Sequence, residues 1–377
     1  MKIKKYNVYI SAFLLLLGSV CGCTAGNANV YQEEIIKPSS DERLSVTTTL
    51  FPYYDFVRQI AKDRVKLRLI IPSGMDSHSF EPTPADIIAI QNSDLFLYNG
   101  GEMEQWADVI LDSVGHSGLR AEAMMDYVES VEEELVEGME DAGEHGHRED
   151  REHEHREDRE HEHREDREHE HREGERIEHE HKEDADGEEE YFPGQLHEIE
   201  YDEHIWTSPV KAMEIVRVIG QILEEEDPAH AAFYRENTRQ YLEELHGLHQ
   251  EFLQVMEGRR QDRIIVGDKF PFRYFADTYD LSYRAAFSGC GGEAEPSART
   301  IAYLIEQVRE YKLPAVYYLE LSSHRVAEII GEETGAKPLL FHSCHNVTRR
   351  EFDEGITYLQ LMEQNVNNLK IGLEAGE

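Results

Sequence analysis

Three isolated histidines carry the residue chemistry most suggestive of a function. His78 lies in MDSHSFEPTPADI, His204 in YDEHIWTSP and His342 in KPLLFHSCHNV. A neutral imidazole is a common ligand for zinc, and low-coordination sites rich in imidazole suit zinc, whereas manganese prefers more oxygen. No H-E-x-x-H or comparable catalytic spacing accompanies them. The expectation is therefore a binding protein and not an enzyme.

A second group of histidines has a different character. In a tract running from about Glu144 to Asp184, pairs recur every eight residues: His153 and His155, His161 and His163, His169 and His171. Looser pairs flank them at His145 and His147 and at His179 and His181. On a helix of 100° per residue an eight-residue period advances by about 80°, so these rings would spiral instead of lining one face. With no apolar face to bury, the tract is expected to be a disordered acidic insertion. Each His-x-His pair with its neighbouring carboxylates would be a weak accessory metal site, because ordering such a loop costs entropy.

The elements that must position the isolated histidines alternate. LSVTTTLF, VKLRLII and DLFLYN read as strands, separated by the helical patterns YYDFVRQIAKD and ADIIAIQ and followed by MEQWADVILDS. The same alternation returns after the tract, with RIIVGD, LSYRAAF, AVYYLEL and KPLLF as strands and a closing helix over 356–373. This order predicts an α/β fold of two lobes, each a parallel sheet flanked by helices. Between them, 209–226 and a longer stretch from Pro228 to about Glu257 read as helices, the second long enough at about 45 Å to be a rigid strut. Ligand loops lie beyond the carboxyl ends of parallel strands. His78 and His342 satisfy that rule in opposite lobes, with His204 near the connection, so an inter-lobe cleft could gather all three.

The predicted organisation is a signal peptide over 1–22, a lipid-anchored tether over 23–43 and a first lobe over 44–127. An acidic His-rich loop follows over 128–200, then a connecting segment and bridging helix over 201–260 and a second lobe over 261–377. The N-terminus supports its part of this. Lys2, Lys4 and Lys5 precede an apolar run too short to span a bilayer comfortably, which ends in VCGC. Its end resembles a bacterial lipobox, which implies cleavage before Cys23 and a diacylglyceryl anchor on Cys23. Two acyl chains hold a protein stably on a membrane. The 377 residues carry a formal charge of −40, which argues against nucleic acid as a partner and favours cations. Outside the cell Cys290 and Cys344 can form a disulfide; the competing possibility is a pair of thiolate ligands.

Together HSFEPTPADI, YNGGEMEQWAD, DEHIW, FRYFADTYDL, GGEAEPS and YLQLMEQNVNNL resemble, in order, the ZnuA-like solute-binding lipoproteins of zinc and manganese ABC importers. The zinc branch typically carries a His-rich insertion at this position. The resemblance implies two lobes bridged by a rigid helix, with one Zn2+ as transported ligand buried between them. It also implies a monomer that delivers the ion to an ABC permease with its ATPase, and it adds weight to the disulfide. Mn2+ binding, or a role as surface adhesin or metal-storage lipoprotein, is the alternative. His78 matches the first family ligand in H-x-x-E-P-T-P and His204 the second in D-x-H-x-W, while the fourth position falls on His342. The third falls on Lys269 in GDKFPFRYF, and a protonated lysine has no lone pair to give. Water or a carboxylate, Asp268 or Glu320, is expected to complete the set, with His345 near enough to substitute for His342.

Overall fold

The structure, a computed structural model, describes residues 43–114, 118–140, 200–289 and 295–376. Strand β1 (Leu44–Thr48) is β-branched and runs at once into helix α1 (Phe51–Ala61). Proline near the start of α1 presets the helical φ. Strand β2 (Val65–Leu69), helix α2 (Pro84–Gln91), strand β3 (Leu95–Tyr98), helix α3 (Gln105–Val114) and strand β4 (Arg120–Ala123) complete the first lobe. All its strands pair in parallel, in the order β2-β1-β3-β4. Thr83 and Asp86 form a reciprocal capping box that fixes where α2 begins after the His78 loop.

Two helices follow, α4 (Pro209–Glu226) and α5 (Ala231–Gly258). The second lobe comprises strand β5 (Arg263–Phe270), helix α6 (Arg273–Tyr279), strand β6 (Ser282–Ser288) and helix α7 (Ala298–Tyr311). It continues with strand β7 (Ala315–Tyr318), helix α8 (Arg325–Thr334), strand β8 (Lys337–Leu340), the short α9 (Arg349–Glu354) and the closing α10 (Tyr358–Gly372). Its sheet is also parallel, in the order β6-β5-β7-β8, so both lobes share one winding.

The strut expected from sequence is α5, whose 28 residues span about 42 Å. It packs on α4, on α1 from the first lobe and on α10 from the second. Further ties cross between the lobes. The Tyr358 amide donates to Asp55 Oδ2 at 2.7 Å, Tyr358 Oη donates to the Trp206 carbonyl at 2.7 Å, and the rings of Phe56 and Tyr358 meet edge-on at 5.1 Å. One apolar cluster accordingly runs through both lobes, with a smaller one beneath α7 and α8. Such packing resists relative motion of the lobes, because close-packed interiors deform little.

One expectation changes. Residues 128–140 and 200 belong to the fold instead of the acidic loop. Glu132 bridges to Tyr201, and the Glu140 amide donates to the Ala286 carbonyl at 2.9 Å along the outer edge of β6. Cys344 is a free, fully buried thiol in this structure, and Cys290, the partner expected for it, lies outside the described residues. The Cys344 Sγ is turned inward against the His342 carbonyl at 3.9 Å, and burial pushes its pKa well up. The N-terminal segment with Cys23 and the repeat histidines from His145 to His181 also lie outside the described residues.

Candidate metal centre

Three short segments converge between the lobes. A single 3-10 turn, Ser77–Ser79, follows β2 and carries His78. His204 directly precedes a similar turn, Ile205–Thr207, at the entrance to α4. The segment between β8 and α9 carries His342 and His345. Cys344 adopts a left-handed φ of 60°, and this reverses the chain between the two histidines.

The rings that meet are those of His78, His204 and His345. Their centroids are 5.8 Å (His78–His204), 5.8 Å (His78–His345) and 6.2 Å (His204–His345) apart. A tetrahedral zinc with Zn–N of about 2.0–2.1 Å places imidazole centroids about 5.2 Å apart. Among the described residues no group of three or more His, Cys, Asp or Glu side chains is already drawn into a metal cage. The trio is an open triangle, about 0.6–1 Å per edge wider than a tetrahedral site.

Each ring is aimed by the same local device. The His78 amide donates to Asp76 Oδ1 at 2.9 Å, the His204 amide to Asp202 Oδ1 at 2.8 Å, and the His345 amide to Ser343 Oγ at 3.2 Å. These are Asx- and Ser-type turns, in which a short polar side chain caps the backbone two residues on. His204 has a further restraint, because its Nδ1 lies 3.2 Å from Asp202 Oδ1 in a fully buried pair. That carboxylate fixes the tautomer and leaves Nε2 to face a metal, the arrangement usual around zinc. Ser77 Oγ bonds His345 Nε2 and so joins the loops of the two lobes.

Backbone geometry holds His204 in place from behind. Glu203 turns away from the triangle and accepts from the amides of Glu102 and Met103. Gly101 has φ +78°, and a Cβ there would overlap Glu203 Oε1, so both conformation and space require glycine. Next to it Glu104 accepts from the amides of Asn99 at 2.6 Å and Gly100 at 3.3 Å. At Gly289 a Cβ would stand 3.3 Å from His204 Cε1 and 3.0 Å from the Phe270 carbonyl, so the wall of the site closes on backbone.

The electrostatics keep two rings unprotonated. Burial, with the neighbouring His204, lowers His78 to about 4. Burial, with His78, holds His345 well below the ordinary histidine range. His204 is the exception: burial pulls it down, yet Asp202, Glu203 and Glu133 outweigh that and raise it. Burial would raise Asp76, but His345, Lys269 and His78 together lower it. Two neutral rings, a third oriented by a carboxylate, and an ionised Asp76 form a donor set for a soft-to-borderline divalent cation.

His342 stands apart from this trio. It is buried, and its Nδ1 accepts the Cys344 amide at 2.9 Å and lies 3.5 Å from Glu320 Oε1. Asn365 on α10 clasps its backbone, accepting from the His342 amide at 2.8 Å and donating to its carbonyl at 2.7 Å. His342 therefore shapes the loop that presents His345. Glu320 is likewise committed, accepting from the Ser343 amide at 2.9 Å and the Ser343 hydroxyl at 2.6 Å. Asp268 accepts the Leu319 amide at 3.0 Å, and burial raises its pKa. Both carboxylates line the same inter-lobe cleft as His345. Lys269 also lines it, with Nζ 3.7 Å from Asp76 Oδ2. Asp76, Asp202 and Ser343 are not among the residues singled out from sequence, but the recurrent D-x-H, D-x-H and S-x-H spacing marks them there.

Comparison with known proteins identifies relatives of the chain and of its fold. The sequence profile of the ZnuA family, zinc-uptake complex component A, periplasmic, matches residues 46–372. The high-affinity zinc uptake system protein ZnuA of Bacillus subtilis is 29% identical over 376 residues, covering 98% of each chain. The zinc-binding lipoprotein AdcA of Streptococcus pneumoniae is 26% identical over 331 residues, which are 88% of this chain and 56% of AdcA; the chain thus spans little more than half of that relative. Among solved structures, the metal-dependent lipoprotein YcdH of B. subtilis superposes with a TM-score of 0.64 at 25% identity, over 88% of this chain and all (100%) of that one. The Zn(II)-bound ZnuA-like domain of S. pneumoniae AdcA has the same fold, with a TM-score of 0.63 at 23% identity over 88% of this chain and 99% of the domain. The chain belongs to the ZnuA family of zinc-uptake components.

Proposed function

We propose that the chain, as the zinc-binding component of an ABC zinc uptake system, holds one Zn2+ in the triangle of His78, His204 and His345. The single observation that carries this assignment is the mutual approach of those three rings across the two lobes. The donor chemistry supports zinc over manganese, since three imidazoles offer nitrogen where manganese prefers oxygen. Asp202 orients His204, and Asp76 supplies negative charge beside the ion. The shared core and the α5 strut keep the half-sites close to register, so binding needs only a small contraction.

A lipid anchor at Cys23 would keep this capture outside the cell membrane, next to the permease and its ATPase that accept the ion. Among the described residues no helix is long and apolar enough to cross a membrane. The histidine pairs between His145 and His181 act as a supply of weak sites. The described residues on either side of them support that role. Glu140 adjoins Phe287 on the cleft wall, and Tyr201 lies three residues before His204. Many weak sites tethered at those points raise the local concentration of metal beside the cleft.

Zinc titration of the full chain and of a variant lacking residues 144–184 tests this assignment. One tight site should survive the deletion while several weak ones vanish. Loss of the tight site with the deletion would place function in the repeat instead.

A further inference from the structure

Through His345 the triangle borders a cleft far larger than an ion requires. Its volume is about 780 Å3, and Asp76, Lys269 and His345 are among its lining residues, as are Phe287, Ser322 and Arg325. Pockets for small organic molecules run from about 300 to 1,000 Å3, whereas a water molecule takes about 30 Å3 of liquid. Three neutral imidazoles bring no charge of their own to Zn2+ and leave at least one coordination position open. At the same cleft stands a cation, Lys269, where a ligand was expected. It is only loosely paired, 3.7 Å from Asp76 Oδ2. The carboxylates of the opposite wall are already engaged: Glu320 with Ser343, and Asp268 with the Leu319 amide.

We propose that the cleft admits a small α-amino or α-hydroxy carboxylate together with the metal, so that the cargo is taken up as a chelate. This rests on the zinc assignment above and extends it. One carboxylate oxygen and the adjacent amine or hydroxyl complete the coordination of Zn2+. The other carboxylate oxygen pairs with the Lys269 ammonium. Hydroxyls such as Ser322, and apolar groups such as Phe287, hold the remainder of the molecule. Lys269 thereby has a purpose that a metal ligand at the same place could not serve: it selects an anion that the ion alone does not bring.

Calorimetry and native mass spectrometry on the full chain test this, with L-histidine and citrate as the probes. Zinc alone is bound first, and each probe is then titrated into the zinc-loaded protein at fixed free zinc. A ternary complex of protein, zinc and one probe molecule is expected. In Lys269→Met the probe should bind about tenfold or more weakly, while zinc alone binds that variant at least as tightly. Zinc binding with no heat and no added mass from either probe would overturn the inference and leave the three-imidazole site standing. That result would arise if Asp76 left Lys269 and closed the fourth position itself. Equal probe binding by Lys269→Met would overturn it as well. Failure of zinc itself to bind at the three rings would remove both proposals together.

Discussion

The two lobes wind their sheets in the same order, β2-β1-β3-β4 and β6-β5-β7-β8, yet they furnish the cleft very differently. Behind the triangle, the first lobe and the connection after it form a backbone cradle. The amides of Asn99, Gly100, Glu102 and Met103 all point at Glu104 or Glu203, and His204 sits directly on this network. The second lobe offers one imidazole on a loop held by side chains, together with Lys269 and the open wall of the cleft. The contrast teaches that a shared topology fixes where loops emerge but not what they contribute. One half of the site is built for rigidity, the other for access and choice of cargo.

Removing a ring from the rigid half should have the largest effect. His204→Ala is expected to weaken zinc binding by more than the 10–100-fold typical of losing a residue that only orients a ligand. Asp202→Asn should fall within that 10–100-fold range, because it frees the tautomer of His204 while sparing its lone pair. Competition against a chromophoric chelator measures both. Equal losses in the two variants would mean that the rigid half acts as a metal shell in which ligand and orienting residue cannot be told apart.

The pH response should sharpen the same contrast. Burial pulls His204 down but Asp202, Glu203 and Glu133 outweigh it and raise its pKa, whereas burial lowers His78 to about 4 and holds His345 well below the ordinary histidine range, so His204 is the ring that takes up a proton first as pH falls. Zinc competes with that proton. Affinity should therefore begin to fall as pH drops through the raised value of His204, and proton release per zinc should rise toward one over the same range. Calorimetry in buffers of different ionisation enthalpy counts it; two or three protons released would contradict the neutral state of the other rings.

A smaller effect concerns stability alone. Burial raises Glu104 from 4.5 to about 7. The folded state then binds more protons than the unfolded chain between those values, so stability falls as pH rises through that window and the deficit is complete above it. Glu104→Gln should recover up to about 3 kcal/mol at pH 8 and change little below the lower value. Urea unfolding at both ends of the window measures it. Smallest of all, Asn346→Ala should cost about 1–3 kcal/mol, since its side chain donates to the carbonyls of Pro72 and Met75 at 2.8 Å each, joining the second lobe to the first.

Much of this was legible beforehand. Alternating strand and helix patterns gave two parallel lobes, and α4 and α5 lie where the periodicity put them. The motifs singled out His78 and His204, two of the three rings that meet. The exchange of His342 for His345 was not legible there, and the cause is local. The two are three residues apart in one loop, and only the left-handed turn at Cys344 decides which ring faces the cleft. A cue was present all the same. His78, His204 and His345 each have an Asp or Ser two residues before them, while His342 has Leu340. The ordered path of 128–140 was hidden for another reason. Its acidic composition reads as solvent-exposed, and the few backbone bonds that bind it to β6 and to Tyr201 leave no periodic pattern.

The direct test of the central claim is zinc titration of His345→Ala beside His342→Ala, each checked for folding. A site made by rings from both lobes predicts that His345→Ala abolishes tight binding. His342→Ala should keep one tight zinc, at some cost in stability from the lost Cys344 contact. Tight binding that survives in His345→Ala and disappears in His342→Ala would contradict the triangle.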